Sequence, residues 1–189
     1  RSIYRTTVLL MQSMDKASLI TLGQHLQQLR LKQGLSLSQL AADAGIAKSN
    51  LSRLEQGNGN PTVDTIWRLA VQLNMPFGAL VAPVNSSFGE TGMEVRLIDQ
   101  GQDTPKVDAY WMSVAPYTRR HAEPHTAGTT ESVTLISGKL EVGTTDNLKQ
   151  LSAGESFTFV ADQAHLYATG EHGATFLITI IYHQATHHE

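Results

Sequence analysis

The feature that most constrains the fold of this chain is a change of hydrophobic period within its 189 residues. From Leu19 to about Val81, apolar residues recur at spacings of three and four, as they do on one face of a helix. After the polar stretch VNSSFGETG they alternate with polar residues, which is typical of half-buried strands. The two periods predict a helical region followed by an all-β region.

The helical region carries start and stop signals for five short helices. Ser36 and Thr62 are placed to cap the second and fourth helices, and Pro76 begins the fifth. Glycines close the first three helices, at positions 34, 45 and 57. Five short helices that each have one apolar face predict a compact bundle.

The β region contains six alternating segments, with glycine-rich turns between several of them. They predict strands at 93–99, 108–115, 131–137, 139–144, 155–160 and 174–182, which is the pattern of a β-sandwich or barrel. The predicted fold class is therefore α+β with two domains. The predicted boundaries are an N-terminal extension at 1–18, a helical domain at 19–82, a linker at 83–92, a β domain at 93–183 and a tail at 184–189.

Charge is distributed unevenly between the two regions. Residues 1–82 hold eight Lys or Arg against four Asp or Glu, whereas the rest of the chain holds six against thirteen. This asymmetry favours a nucleic-acid-facing region joined to one that is not. The absence of cysteine excludes disulfides and thiolate metal sites. No apolar run approaches the length of a membrane span, so we expect a cytoplasmic protein.

The segment LSLSQLAADAGIAKSNLSRLEQGNGNPTVDTIWRLAVQL has the form of a helix-turn-helix. Ala41 is small enough for two helices to approach closely, and Gly45 can make the turn between them. The helix that follows presents short polar side chains, as a helix does when it lies in the major groove of DNA. The alternative interpretation is a helical bundle whose Lys and Arg are only solvated.

From Leu22 to Leu80 the sequence resembles the Xre family of repressor-type DNA-binding domains, with the pattern R…GLS…LA…G…LS.LE.G…P…LA..L. The resemblance implies a buried ion pair between Arg30 and Glu55, which would tie the first helix to the third. Leu37 stands where the family often has a DNA-contacting glutamine. The DNA-facing residues that the resemblance implies are Lys48, Ser49, Ser52 and Arg53 at the groove and Asn50 near phosphate.

The stretch HAEPHTAGTTESVTLISGKLEVGT places histidines and acids directly before a strand. It resembles the first motif of the cupin fold, a jelly-roll barrel, and GESFTFVADQAHLYA resembles the second, although the usual His-x-His is absent. The resemblance implies a divalent metal ion, zinc or another transition metal, held by His125, Glu131 and His165. His121, Glu123 or water would be the fourth ligand.

Together the two resemblances imply a bacterial transcription regulator with no catalytic residues. Its helix-turn-helix domain would bind double-stranded operator DNA as a homodimer, and its cupin barrel would bind a small effector. Similarity of the whole chain implies an amino-acid or sulfur metabolite as that effector. Two alternatives remain open, a metal-dependent cupin enzyme with an accessory DNA-binding domain and a barrel that only dimerises.

Overall fold

The computed structural model describes residues 14–84, 88–90, 92–101 and 103–183. The helices are α1 (Lys16–Lys32), α2 (Leu37–Asp43), α3 (Lys48–Glu55), α4 (Val63–Gln72) and α5 (Phe77–Val81). The strands are β1 (Phe88–Glu90), β2 (Met93–Gly101), β3 (Lys106–Val114), β4 (Arg119–Ala122), β5 (Thr130–Thr144), β6 (Asn147–Ser152), β7 (Ser156–Val160), β8 (His165–Ala168) and β9 (Ala174–Tyr182). The predicted tail and residues 1–13 of the predicted extension lie outside the described residues. None of the described helices is long and apolar enough to cross a membrane.

Local signals in the sequence set the ends of the helices. The side chains of Ser36 and Thr62 accept hydrogen bonds from the backbone N–H groups of Gln39 and Thr65, so both predicted caps are confirmed. Gly45 adopts a φ of 62° after α2, a left-handed conformation that closes the helix and starts the turn to α3. Helix α1 begins at Lys16, earlier than the predicted domain start at 19, because Asp15 caps it.

The sheet is antiparallel, and β5 joins its two halves. The first part of β5 pairs with β7 and β9, and the second part pairs with β6 and β8. The bend falls near Gly138, whose φ is 87° and where a Cβ atom would lie 1.9 Å from Gly173 O. The predicted strands 131–137 and 139–144 are therefore one strand, because glycine lets the chain turn between sheets without losing its pairing.

Four strands were absent from the prediction, each for a local reason. β1 lies in the predicted linker and is only three residues long, paired with β2. β6 is exposed at every position except Leu151, so it shows almost no apolar alternation. β4 and β8 are four residues each, and β4 buries an arginine instead of an apolar residue. The expected fold class, a helical bundle followed by a curled antiparallel sheet, is confirmed.

The bundle and the barrel share one hydrophobic core and are joined at a buried acid. Asp108 on β3 is fully buried and accepts hydrogen bonds from Gly78 N at 2.9 Å, Tyr110 Oη at 2.6 Å and Tyr182 Oη at 3.1 Å. Burial, and then the neighbouring Tyr182 and Asp108, raise the pKa of Tyr110 well above its ordinary value, which keeps this hydroxyl a donor. The contact with Gly78 fixes α5 on the barrel.

Candidate metal centre and candidate nucleic-acid interface

Three side chains converge inside the barrel. His125, Glu131 and His165 are all buried, and each offers a ligand atom within 4.8 Å of the other two. Glu131 lies on β5 and His165 opens β8, so their positions follow from the sheet. His125 lies in the loop after β4, where its backbone N–H donates to Ala161 O at 3.0 Å. The structure thus assembles the predicted ligands from three separate segments.

The ring nitrogens of the two histidines differ in their hydrogen bonds. His165 Nδ1 donates to Gln163 O at 2.9 Å, which leaves Nε2 of the neutral ring as a lone pair. This Nε2 lies 3.5 Å from Glu131 Oε1, too far for a strong hydrogen bond. Within the part of the chain that the structure describes, His165 Nε2 and His125 Nδ1 are buried with no hydrogen-bond partner. Buried unpaired nitrogens beside a carboxylate fit a bound metal ion.

Glu131 provides the negative charge of the cluster. His125 Nε2 lies 2.5 Å from its Oε1, and the Tyr167 hydroxyl donates to its Oε2. Burial alone would raise the pKa of Glu131, but the hydrogen bond with His125 and the nearby ring of His165 outweigh burial and hold the pKa far below the usual range. Glu131 therefore remains a carboxylate, the form that binds a cation.

The pKa of His165 is shifted in the opposite direction, upward. Burial alone would lower its pKa, but the nearby negative charge of Glu131, 3.5 Å away, prevails and raises the pKa above 6.5. Without a metal ion, the cluster therefore favours a proton on His165. An ion that binds this ring must displace that proton.

The two alternative fourth ligands are not placed to bind with this cluster. His121 is exposed on the outer face of β4, because inward and outward side chains alternate along the strand. Glu123 is exposed as well, and its Oε1 accepts from Arg68 Nη2 at 2.7 Å. In this structure neither side chain lies with the three clustered ones.

Sequence reasoning missed two residues that shape the site. Arg120 faces inward from β4, is 7% exposed, and lines the same cavity as His125, Glu131 and His165. Trp67 of α4 stacks on His125 with ring centroids 4.1 Å apart. Neither position carries a local signal, since the strand containing Arg120 was not predicted and Trp67 lies on a predicted bundle helix.

Helix α3 exposes the side chains that the resemblance places at DNA. Its apolar positions Leu51 and Leu54 are buried against the bundle. The opposite face carries Lys48, Ser49, Asn50 and Arg53, which are exposed, and Ser52, which is partly exposed. Arg53 Nη2 lies 3.3 Å from Asn58 O, a contact that holds the guanidinium near the end of the helix.

Arg30 and Glu55 form a bidentate ion pair inside the bundle. Arg30 Nε lies 2.6 Å from Glu55 Oε1, and Nη2 lies 2.8 Å from Oε2, with both side chains under 10% exposed. Arg30 Nη1 also donates to Leu35 O at 2.8 Å. The pair connects α1 to the end of α3 and so fixes the orientation of the exposed face.

The chain is similar in sequence and in fold to known proteins. The HTH_3 helix-turn-helix family matches residues 26–80. The HTH-type transcriptional regulator SutR of Escherichia coli K12 is 30% identical over 151 residues, which cover 77% of this chain and 85% of SutR. The crystal structure of an HTH_3 family transcriptional regulator from Vibrio cholerae superposes with a TM-score of 0.80 at 26% identity, covering 90% of this chain and all of that one.

A further solved structure is the Cupin_2 domain of an XRE family transcriptional regulator from Enterobacter cloacae, 28% identical with a TM-score of 0.46, covering 49% of this chain and 99% of that chain. The match to SutR extends beyond the helical bundle, and its name is that of a regulator and not of an enzyme. The expectation of a regulator is thereby confirmed. This chain belongs to the family of HTH-type transcriptional regulators.

Proposed function

We propose that this regulator binds double-stranded operator DNA as a homodimer, and that its barrel holds a divalent metal ion and a small effector. One observation carries the proposal: the cavity with the three candidate metal-ligand side chains is lined in part by α4, a helix of the DNA-binding bundle. A ligand in that cavity would contact the bundle directly. We expect the protein to work in the cytoplasm, where operator DNA is accessible.

The proposal for DNA rests on the face of α3. Lysine and arginine supply charge for phosphates and bidentate contacts to base edges, and the short serines allow the helix to approach the groove closely. One α3 spans only a few base pairs, so a homodimer with half-sites about 34 Å apart would give a specific operator. The buried Arg30–Glu55 pair fixes α3 to α1 on the side away from the exposed face.

The proposal for metal rests on the three ligand side chains. Two imidazoles and a carboxylate suit zinc or another transition metal, which would bind an electron-pair donor of the effector when present. Tyr167 holds one Glu131 oxygen and Gln163 O holds His165 Nδ1, so both ligands are oriented by neighbours. We propose an amino-acid or sulfur metabolite as the effector, on the basis of the sequence resemblance.

The test of the proposed DNA interface uses single alanine substitutions and an operator isolated by in vitro selection. Arg53→Ala and Lys48→Ala should each weaken operator binding by roughly 1–3 kcal/mol, as loss of a base or phosphate contact does. Fluorescence anisotropy at fixed salt measures the affinity. Lys139→Ala removes an exposed charge from the barrel and is the matched control. Unchanged affinity in both α3 variants would contradict the proposal.

A further inference from the structure

We propose that the effector is a small aliphatic carboxylate, and that Arg120 binds its carboxylate in exchange for Asp64 of α4. This inference rests on the proposed effector-sensing function and names the chemistry of the ligand. It also identifies the contact through which the ligand would act on the DNA-binding bundle.

Arg120 has the position of a ligand-binding residue. It faces the barrel interior from β4, directly opposite Tyr167 on β8, whose hydroxyl donates to the metal-ligand Glu131. It lines the same cavity as His125 and His165. A guanidinium presents a planar fork of N–H donors that matches a carboxylate, and burial strengthens this interaction. The barrel therefore has a buried anion receptor beside its metal centre.

That receptor already holds a carboxylate, and the carboxylate belongs to the helical bundle. Arg120 Nη2 lies 2.6 Å from Asp64 Oδ1, in the first turn of α4. The Asp64 side chain is 35% exposed, so it reaches Arg120 from the rim of the cavity. A ligand carboxylate at the same guanidinium would compete with Asp64.

The cavity is too small for a metabolite in this structure. Val63 and Trp67 of α4 line it, and the space left is about 20 Å³, enough for roughly one water molecule. A metabolite would enter by displacing lining side chains, among them those of α4. The remaining walls are largely apolar, which selects a ligand with a short aliphatic body. The apolar barrel residues of the lining are Val95, Met112, Ala122, Ile178 and Ile180.

Trp67 connects the cavity to the outer surface. Its ring stacks on His125 inside, and it also lines a groove of about 280 Å³ between the α2–α3 turn, α4 and the loop after β4. Arg68 and Glu123 pair across this groove at 2.7 Å, in an exposed position where an ion pair contributes little. Ligand entry would replace Asp64 by the ligand carboxylate at Arg120, and it would move Trp67 away from His125. Because α4 belongs to the DNA-binding bundle, effector and DNA affinity would be coupled.

The experiment uses Trp67 as the reporter. The chain has two tryptophans, so Trp111→Phe leaves Trp67 as the only indole, and its emission and acrylamide quenching report whether it stacks on His125. Full-length Trp111→Phe protein, with one equivalent of Zn²⁺ and again in chelator, is titrated with 4-methylpentanoate. The neutral 4-methylpentanamide is the matched probe without the charge, and sodium chloride controls for ionic strength.

We expect the acid to expose Trp67 and the amide to have no effect. Adding Asp64→Asn removes the competing carboxylate and should lower the half-saturating acid concentration by about tenfold. Adding Arg120→Gln should abolish the response. Arg120→Lys keeps the charge but not the planar fork and should weaken the response, so it serves if the glutamine variant does not fold.

Three outcomes would overturn the proposal. These are an equal response to acid and amide, an unchanged half-saturation in the Asp64→Asn protein, and no response of that protein up to about 50 mM acid. Operator binding of the same Trp111→Phe protein is measured separately. An acid response without DNA binding refutes only the proposed operator binding, whereas DNA binding without an acid response refutes only this inference.

Discussion

At the scale of single residues, hydrogen bonds to neighbouring groups orient the side chains of the candidate metal centre. Gln163 O occupies His165 Nδ1, and the Tyr167 hydroxyl occupies one Glu131 oxygen. These contacts fix which nitrogen and which oxygen face the cavity. They also leave Glu131 as the charge that a proton on His165 and the proposed metal ion would compete to neutralise.

This competition predicts a pH-dependent metal affinity. Because the pKa of His165 is raised above 6.5, its proton is retained to higher pH than on an ordinary histidine, and the ion must displace it. Zn²⁺ affinity should therefore fall as the pH is lowered from about 8 to about 6, approaching about tenfold per pH unit where one proton is released per ion. Titration against a competing chelator measures it.

The controls compare a histidine outside the cavity with the two histidines inside it. His121→Ala removes a ring on the outer face of β4 and should leave both the affinity and its pH dependence unchanged. His165→Ala, and separately His125→Ala, should abolish binding at the site while leaving the histidines near the C-terminus in place. Stoichiometric Zn²⁺ retained by both alanine variants would show that the ion is held elsewhere.

At the scale of elements, the orientation of α3 depends on how closely α1 approaches it. A Cβ atom on Gly23 would lie 2.3 Å from Leu54 O and 2.8 Å from Glu55 O, so only glycine allows this contact between the helices. The Arg30–Glu55 pair holds the same end of α3, about two turns further along α1. Together the two contacts set the orientation of α3 relative to α1.

Gly23→Ala tests the close approach. Alanine raises helix propensity by about 1 kcal/mol, but its methyl group meets backbone atoms that no side-chain rotation can move. We expect a net loss of about 1–3 kcal/mol of unfolding free energy in urea, together with weaker operator binding. Gln24→Ala, at the exposed neighbouring position, should change neither quantity. A Gly23→Ala protein more stable than the parent would contradict the close packing.

Removing one partner of the Arg30–Glu55 pair should be costly. Arg30→Met or Glu55→Gln leaves the other group buried without its charge partner, which we expect to cost about 3–5 kcal/mol. A double-mutant cycle measured by urea unfolding isolates the coupling between the two residues. The exposed pair Arg68–Glu123 provides the comparison, with an expected coupling of about 0–1 kcal/mol. Equal coupling in the two pairs would refute the importance of burial.

At the scale of the whole molecule, the bundle and the barrel behave as one packed unit. Their apolar residues form a continuous core, and Asp108 links α5 to β3 through the Gly78 backbone N–H. The pair Arg120–Asp64 makes a second link, through α4. The Asp108 link is fully buried, which suits a fixed joint. The Asp64 side chain of the other link is partly exposed, which suits a contact that a ligand can replace.

The fixed joint predicts a loss of cooperativity in Asp108→Ala. The substitution leaves the N–H of Gly78 and two tyrosine hydroxyls without their acceptor, which should cost roughly 2–5 kcal/mol. Urea unfolding followed by tryptophan fluorescence and by circular dichroism should coincide for the parent and separate for the variant. Asp146→Ala, in the exposed turn after β5, is the control. Coincident curves at unchanged stability would contradict a joint at Asp108.

The sequence by itself determined the features that depend on neighbouring residues. Ser36 and Thr62 cap helices through contacts three residues along the chain, and the change of hydrophobic period separates the bundle from the barrel. Strand β4 was not predicted because one of its two inward positions holds Arg120. The burial of this arginine depends on a distant partner. The metal ligands were predicted only through motif resemblance, since nothing local brings His125 to His165.

Tertiary structure decided the partners of the buried charges. Arg120 meets Asp64 across 56 residues, and Asp108 meets Gly78 across 30, in pairs that form only when the bundle packs on the barrel. The placement of His121 and Glu123 away from the cluster of His125, Glu131 and His165 was decided in the same way, by the face of β4 and by the pairing with Arg68. A buried charge needs a partner, but the packing of distant surfaces determines which residue provides it.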